Sequence, residues 1–368
     1  MQRCVNVIGV GMSPFSPAVL GPDPPGLIGA TIRQALTDAG VSARQVAAVY
    51  AVTGKVDGAT LQRALQPLGL AQVPLSLFAQ DSADGSAVLA RACQAISLGQ
   101  AQSILLLGVQ GEPTMPAPAL GLARLGATAR EYMARYLSRP ETFAMIAVKA
   151  RQHAALNPLA ACKDVLTMDQ VLQARMIADP LTHLQFAWAS SGAAALLLCS
   201  SEFAARHGHS AVVRVAAQAC VSPQQVNGLV QGATFAGVNY DVNVAAARDL
   251  YEQAGRGPQE IAVCELHDTS TVSELLLYEA LGFCPEGNGE KLVEDGDNTF
   301  GGNLVINPSG GLLSLGQAGA ASALAQCIEL VYQLRGSAGQ RQVADAQLAL
   351  AHQSGSDGTV TITLFQRD

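Results

Sequence analysis

The residue types able to act as nucleophiles, bases or metal ligands are spread thinly along this chain. Eight cysteines occur (Cys4, Cys93, Cys162, Cys199, Cys220, Cys264, Cys284 and Cys327), with no CxxC pair and no Cys/His spacing that suits zinc. They read as buried, reduced thiols of a cytosolic protein. His153, His183, His207 and His209 read as solvent-facing or structural, and His207-Gly-His209 is too short and isolated for a metal site. The runs Gly301-Gly302 and Gly310-Gly311 match no phosphate loop. A serine can accept an acyl group only with a base beside it, because its hydroxyl is not ionised near neutrality.

The elements that would position such groups follow from periodicity. The chain has 368 residues, 49% of them hydrophobic and only 14% charged, a balance that suits a large buried interior. It looks internally duplicated. Ala35-Leu-Thr-Asp-Ala-Gly40 is followed by Val46-Ala-Ala-Val-Tyr50, and Leu250-Tyr-Glu-Gln-Ala-Gly255 by Ile261-Ala-Val-Cys-Glu265. Each is a helix ending on glycine, which suits the positive φ of a helix end, then an apolar strand six residues on. Strands at 5–10 and 212–217 precede these helices, and strands at 103–108 and 347–352 come later in each half. Short apolar strands alternating with helices imply layered α/β structure, and two copies give a pseudo-symmetric, five-layered α-β-α-β-α arrangement. Residues 112–180, rich in Pro, Met and Arg and helical around 143–155, break the pattern as an inserted loop domain. The expected division is therefore 1–111, the insert 112–180, a completion of the first half at 181–211, and a second half at 212–368.

The net charge of −7 argues against a general nucleic-acid binder. Within the insert, Arg124, Arg130, Arg135, Arg139, Lys149, Arg151, Lys163 and Arg175 stand against six acids. That face suits a polyanion such as a CoA phosphate, or solvent. No apolar run is long and clean enough to cross a bilayer, and the start of the chain reads as a strand rather than a signal peptide, so a cytoplasmic location is expected.

Several motifs carry a family resemblance. They are Cys264-Glu-Leu-His-Asp-Thr-Ser270, Glu274-Leu-Leu-Leu-Tyr-Glu-Ala-Leu-Gly-Phe-Cys-Pro-Glu-Gly287, Gly296-Asp-Asn-Thr-Phe-Gly-Gly302, Ile306-Asn-Pro-Ser-Gly-Gly311 and Leu334-Arg-Gly-Ser-Ala-Gly-Gln-Arg-Gln-Val343, with Ser190-Ser-Gly-Ala-Ala-Ala195 earlier. In this order and spacing the chain resembles thiolases of the sterol-carrier-protein type over nearly its whole length, the insert least. The resemblance implies the thiolase fold. It also implies four catalytic parts: a cysteine thiolate at a helix N-terminus, a histidine in a Gly-His-Pro turn, a second cysteine, and two oxyanion holes.

This chain departs from that set. Ser82, in Asp81-Ser82-Ala83-Asp84-Gly85-Ser86, stands at the nucleophile's place. Gln317, in Gly316-Gln317-Ala318, stands at the histidine's, and an amide accepts no proton near neutrality. Thr269 stands at the second cysteine's. His267 is retained, and the resemblance gives it a water or an oxyanion to hold. The backbone N–H groups of Ser82 and of Gly355, in His352-Gln-Ser-Gly-Ser-Asp-Gly358, would form the second oxyanion hole. Asn307, Ser309 and Gly310 would shape the floor that receives a CoA thioester.

Three functions fit. The first is a lipid or sterol acyl-CoA-binding protein of the acyltransferase superfamily that does no ordinary thiolysis, a degenerate subunit beside an active partner. The second is a retro-aldolase on steroid side-chain CoA esters with an OB-fold partner, although such proteins place tyrosines where this chain has His267 and Gln317. The third is an acyltransferase built on Ser82 with His267 as base. Each implies a CoA thioester as substrate or ligand and no metal. Each also implies a homodimer, or a heteromer with a thiolase-type or OB-fold partner whose loops complete the pocket.

Overall fold

The structure, a computed structural model, describes residues 3–21, 23–79, 85–113, 119–209, 213–226 and 235–367. The strands of the first half are β1 (Val5–Met12), β2 (Ala48–Gly54), β3 (Leu75–Ala79) and β4 (Ser103–Gln110). A short pair follows, β5 (Met176–Ala178) and β6 (Leu181–Thr182), before β7 (Gly192–Ser200). The second half contributes β8 (Val213–Val221), β9 (Val263–Glu265), β10 (Val305–Ile306), β11 (Leu348–Ser354) and β12 (Val360–Arg367).

The duplication read from the sequence is present strand for strand. The first half orders its strands β3-β2-β4-β7-β1 and the second β10-β9-β11-β12-β8. In both, the first three strands are parallel and the next two antiparallel. Antiparallel pairing of β1 with β8 joins the halves into one ten-stranded run.

Five layers follow from which face each side chain takes. A strand alternates its side chains between faces. In β4, Leu105, Leu107 and Val109 enter the core under helix Pro24–Asp38, while Ile104 and Leu106 enter a central core shared with helices Gly85–Ser97 and Ser322–Arg335. In β11, Ala349 and Ala351 face that same central core, and Leu348 and Leu350 face the outer core of the second half. Both faces of both sheets are thus covered, which is why these strands read as unbroken apolar runs. Helix Pro24–Asp38 lies so close on β1 that a Cβ at Gly9 would sit 2.2 Å from the Ala35 carbonyl oxygen.

The insert folds against the second half. Its helices Ala119–Tyr136 and Pro140–Ala155 place Tyr132, Phe143, Ile146 and Ala150 among Val272, Leu275, Leu276 and Tyr278. The β5–β6 pair spans residue 180. Much of the insert's positive charge is spent on acids. Arg130 pairs with Asp179, Arg135 with Glu286, Arg139 with Glu290 and Glu294, and Lys149 with Glu274. Arg135, Arg139 and Lys149 thus reach across to the second half, while the Arg130–Asp179 pair stays within the insert, where the sequence left a polyanion or solvent open. Among the described residues no helix is long and apolar enough to cross a membrane.

Candidate functional site

The parallel strands β9 and β11 end side by side, with Ala351 opposite Glu265, and the chain leaving β9 carries His267 and Thr269. Such strand ends are where open α/β sheets place their sites. Ser270 then caps helix Thr271–Ala280, its hydroxyl accepting the Ser273 N–H at 3.2 Å. From the other side comes the turn holding Gln317. It is stitched to the segment after the insert, Gln317 N–H to the Trp188 carbonyl at 2.8 Å and Ser190 N–H to the Gln317 carbonyl at 2.9 Å. The N-terminal turn of the central helix Ser322–Arg335 closes a third side, the Ser322 hydroxyl accepting the Ala318 N–H at 2.8 Å.

These elements enclose a cavity of about 370 Å³ that brings together His267, Thr269, Gln317 and Gly355. Ser82, with Asp81 and Asp84, lies outside the described residues. Gly355 lines the cavity, but its N–H donates to the Thr359 carbonyl at 2.8 Å. The tight β11–β12 hairpin uses that donor, so the second oxyanion hole expected from it is not available in this arrangement. Asn307, Ser309 and Gly310 do not line the cavity; they lie buried beneath it. Asn307 accepts the Leu266 N–H at 2.6 Å and donates to Glu274 at 3.2 Å, and the Ser309 hydroxyl donates to Glu265 at 2.7 Å. Gly310 has φ +99°, and a Cβ there would meet that of Ala154 at 2.7 Å. The Asn307 and Ser309 side chains brace the turn beneath the site, and the three residues lie behind its described lining.

One face of insert helix Pro140–Ala155, with Asn157 just beyond it, grips the same turn. His153 Nδ1 lies 2.9 Å from the Asn307 carbonyl, and Asn157 donates to the Ser309 carbonyl at 2.9 Å. Burial holds the His153 imidazole neutral, its pKa pushed down to about 3, so its role is structural, as the sequence suggested.

The imidazoles of the site are ordered by neighbours the sequence reading passed over. His352 Nδ1 accepts the backbone N–H of His267 at 3.3 Å, so Nε2 carries the proton and donates to Asn243 Oδ1 at 2.7 Å. Burial, then the nearby His267, pushes its pKa down to about 3. His267 Nδ1 lies 3.2 Å from Gln353 Oε1. The Gln353 amide group donates to Gln326, whose own amide group donates to the Leu266 carbonyl at 2.6 Å. The chain of amides makes Gln353 Oε1 an acceptor, fixes the proton of neutral His267 on Nδ1, and makes Nε2 its basic nitrogen. His352 and Gln353 share a motif with Gly355; nothing local marks Asn243 or Gln326.

No cysteine is among the described lining residues. Burial pushes the thiols of Cys93 and Cys199 up to about 12, and those of Cys264 and Cys327 also upward, which suppresses thiolate. Cys4 and Cys220, expected buried, are exposed. The site offers hydrogen-bonding side chains and two imidazoles, and among its described lining residues no thiolate for acyl transfer.

A thiolase C-terminal domain-like family model matches residues 236–365. Sterol carrier protein 2 of Bos taurus is 38% identical over 403 residues, which cover 100% of this chain and 73% of that protein. The benzoylsuccinyl-CoA thiolase subunit BbsB of Thauera aromatica is 36% identical over 234 residues, 62% of this chain and 58% of that one. Among solved structures, the Ltp2-ChsH2(DUF35) aldolase superposes with a TM-score of 0.83 at 22% identity, covering 99% of this chain and 98% of that one.

Proposed function

This chain belongs to the thiolases of the sterol-carrier-protein type, and we propose that it binds an acyl-CoA thioester in the His267 cavity without ordinary thiolysis. The observation that carries the reading is the cavity itself: Thr269 and Gln317 occupy it, at positions where the family resemblance implies a cysteine and a histidine. Neither group can supply a thiolate or take a proton near neutrality. Losing nucleophile and base together removes several orders of magnitude in rate. The relative named as a benzoylsuccinyl-CoA thiolase subunit supports a CoA thioester as ligand and a role as one subunit of an assembly.

The sheet edge supports a partner. β3 pairs with β2 on one side, and among the described residues no strand covers its other side. Leu77 on it is 49% exposed. An apolar edge of this kind is suited to pairing with a second copy or with a thiolase-type or OB-fold subunit.

A second reading is favoured by the tautomer of His267. A basic Nε2 suits retro-aldol cleavage of a 3-hydroxyacyl thioester. It would take the hydroxyl proton, the Cα–Cβ bond would break to give a carbonyl product, and the thioester enolate would be reprotonated. The likeness to an aldolase that is itself a two-protein complex supports keeping this reading. Acyl transfer through Ser82 is the third.

Calorimetry with short, long and steroid acyl-CoAs, with free CoA and carbonyl products assayed in the same samples, separates these. Binding without release is the expected result. Thiolysis of acetoacetyl-CoA above trace would overturn the main reading, and carbonyl product with the thioester intact would move the aldolase ahead.

A further inference from the structure

Three lysine or arginine side chains are deeply buried among the described residues: Lys149, Arg151 and Arg341. Two face buried carboxylates, Lys149 meeting Glu274 and Arg341 meeting Glu329 at 2.8 Å. Arg151 does not. It is 6% exposed, and among the described residues no carboxylate or other acceptor reaches its guanidinium. Its polar end lies against the ring of Trp188, 5.4 Å from Cζ to the ring centroid. None of its nitrogens is both sealed from solvent and unpartnered, so the charge sits at the edge of the interior, where an anion from outside the chain can reach it.

Position connects it to the cavity. The Trp188 carbonyl is the acceptor for Gln317 N–H at 2.8 Å, so the Arg-Trp pair stands one backbone hydrogen bond from a lining residue. Trp188 is 40% exposed, which leaves an approach from solvent. The ring covers the guanidinium by cation–π contact, and the planar fork of N–H groups matches phosphate or carboxylate oxygens. We infer that Arg151 and Trp188 hold an oxyanion of the bound thioester, supplied by a phosphate of CoA or by a carboxylate on the acyl group. The inference rests on the acyl-CoA reading and adds the residues that recognise the ligand's charge.

The chain has one tryptophan, so its intrinsic tryptophan emission reports this place alone. The full-length protein is titrated with butyryl-CoA, butyryl-3′-dephospho-CoA, butyryl-pantetheine and glutaryl-CoA, following Trp188 emission and calorimetry together. The expected result is a change in emission on binding, with one anion mattering by about 10- to 100-fold in Kd, the effect of a hydrogen bond to a charged group. Weaker binding of the dephospho or pantetheine thioester assigns the phosphate. Tighter binding of glutaryl-CoA than butyryl-CoA assigns an acyl carboxylate. Arg151→Met should erase whichever difference is seen, and Arg151→Lys should keep part of it. Equal affinity for all four ligands by calorimetry, or wild-type selectivity in Arg151→Met, overturns the inference and leaves the acyl-CoA reading standing. Failure of all four to bind removes both. Should Arg151→Met not fold, the wild-type ligand series still decides.

Discussion

The backbone N–H of His267 donates to Nδ1 of His352 across 3.3 Å, so the orientation of one imidazole is set by the main chain of the residue that carries the other. His352 is thereby held in a single neutral tautomer, and the amide chain from Gln353 does the same for His267.

That amide chain gives the first prediction. Nitrogen-detected NMR of the imidazole signals should show neutral His267 protonated at Nδ1. Gln353→Leu should release it to a mixture of tautomers. An unchanged Nδ1–H signal in that variant would remove Gln353 as its cause.

The second concerns acid stability. The pKa of His352 lies at about 3 in the fold against an ordinary 6.5. Below pH 6.5 the unfolded chain binds a proton there and the folded chain does not. Its contribution is therefore complete above pH 6.5 and is lost as pH falls toward 3. His352→Gln should be less stable than wild type at pH 7.5 by about 1–3 kcal/mol, with a gap that narrows at pH 5. Urea denaturation at the two pH values checks this, and the comparison cancels the similar titration of His153.

Glu265 runs the other way. Desolvation, then the neighbouring Glu329, raises its pKa to about 8 from 4.5. The folded chain keeps a proton that the unfolded chain has lost. This stabilisation is complete below pH 4.5 and declines as pH rises through 8. Glu265→Gln should therefore gain on wild type between pH 5.5 and 8.5 in thermal melts. A constant difference would argue that Glu265 is ionised throughout.

Much of the fold was legible because it rests on local pattern. The glycines Gly40 and Gly255 end their helices at φ +59° and +61°, as the repeated helix–glycine–strand unit implied, and the alternating strands fell where apolar runs stood. The site was legible only where a residue's type decides its chemistry, as for His267, Thr269 and Gln317. It was not legible where a long-range partner decides. Gly355 looked like a donor until the hairpin register gave its N–H to Thr359, and it is Glu274 and Glu265, distant in sequence, that hold the Asn307 and Ser309 side chains beneath the site. Asn243 matters through a bond to a residue 109 positions away, and Gln326 through bonds to residues 27 and 60 positions away.

The bracing under the site gives a fourth prediction. Gly310→Ala should cost about 1–3 kcal/mol, since φ +99° and the close approach of Ala154 both exclude a side chain. Guanidinium denaturation measures it. A neutral effect would mean that the turn can move off the insert helix.

The pairing of Lys149 with Glu274 gives the fifth. Lys149→Met leaves Glu274 buried without its cation and should cost about 3–5 kcal/mol, whereas Lys149→Met with Glu274→Met should recover much of the loss. Equal losses in the single and double variants would show that the pair's charge is not what matters.

The same pair sets a limit on how far the chain can be simplified. An insertion within the first of two matching halves suggests a smaller ancestor-like protein obtained by excising it. Here excision would strand the carboxylate of Glu274 in an apolar interior and strip the wall from Gly310. It would also remove the imidazole and amide that steady residues 307 to 309. Any shortened version needs a replacement cation at Glu274 before it needs a shorter loop.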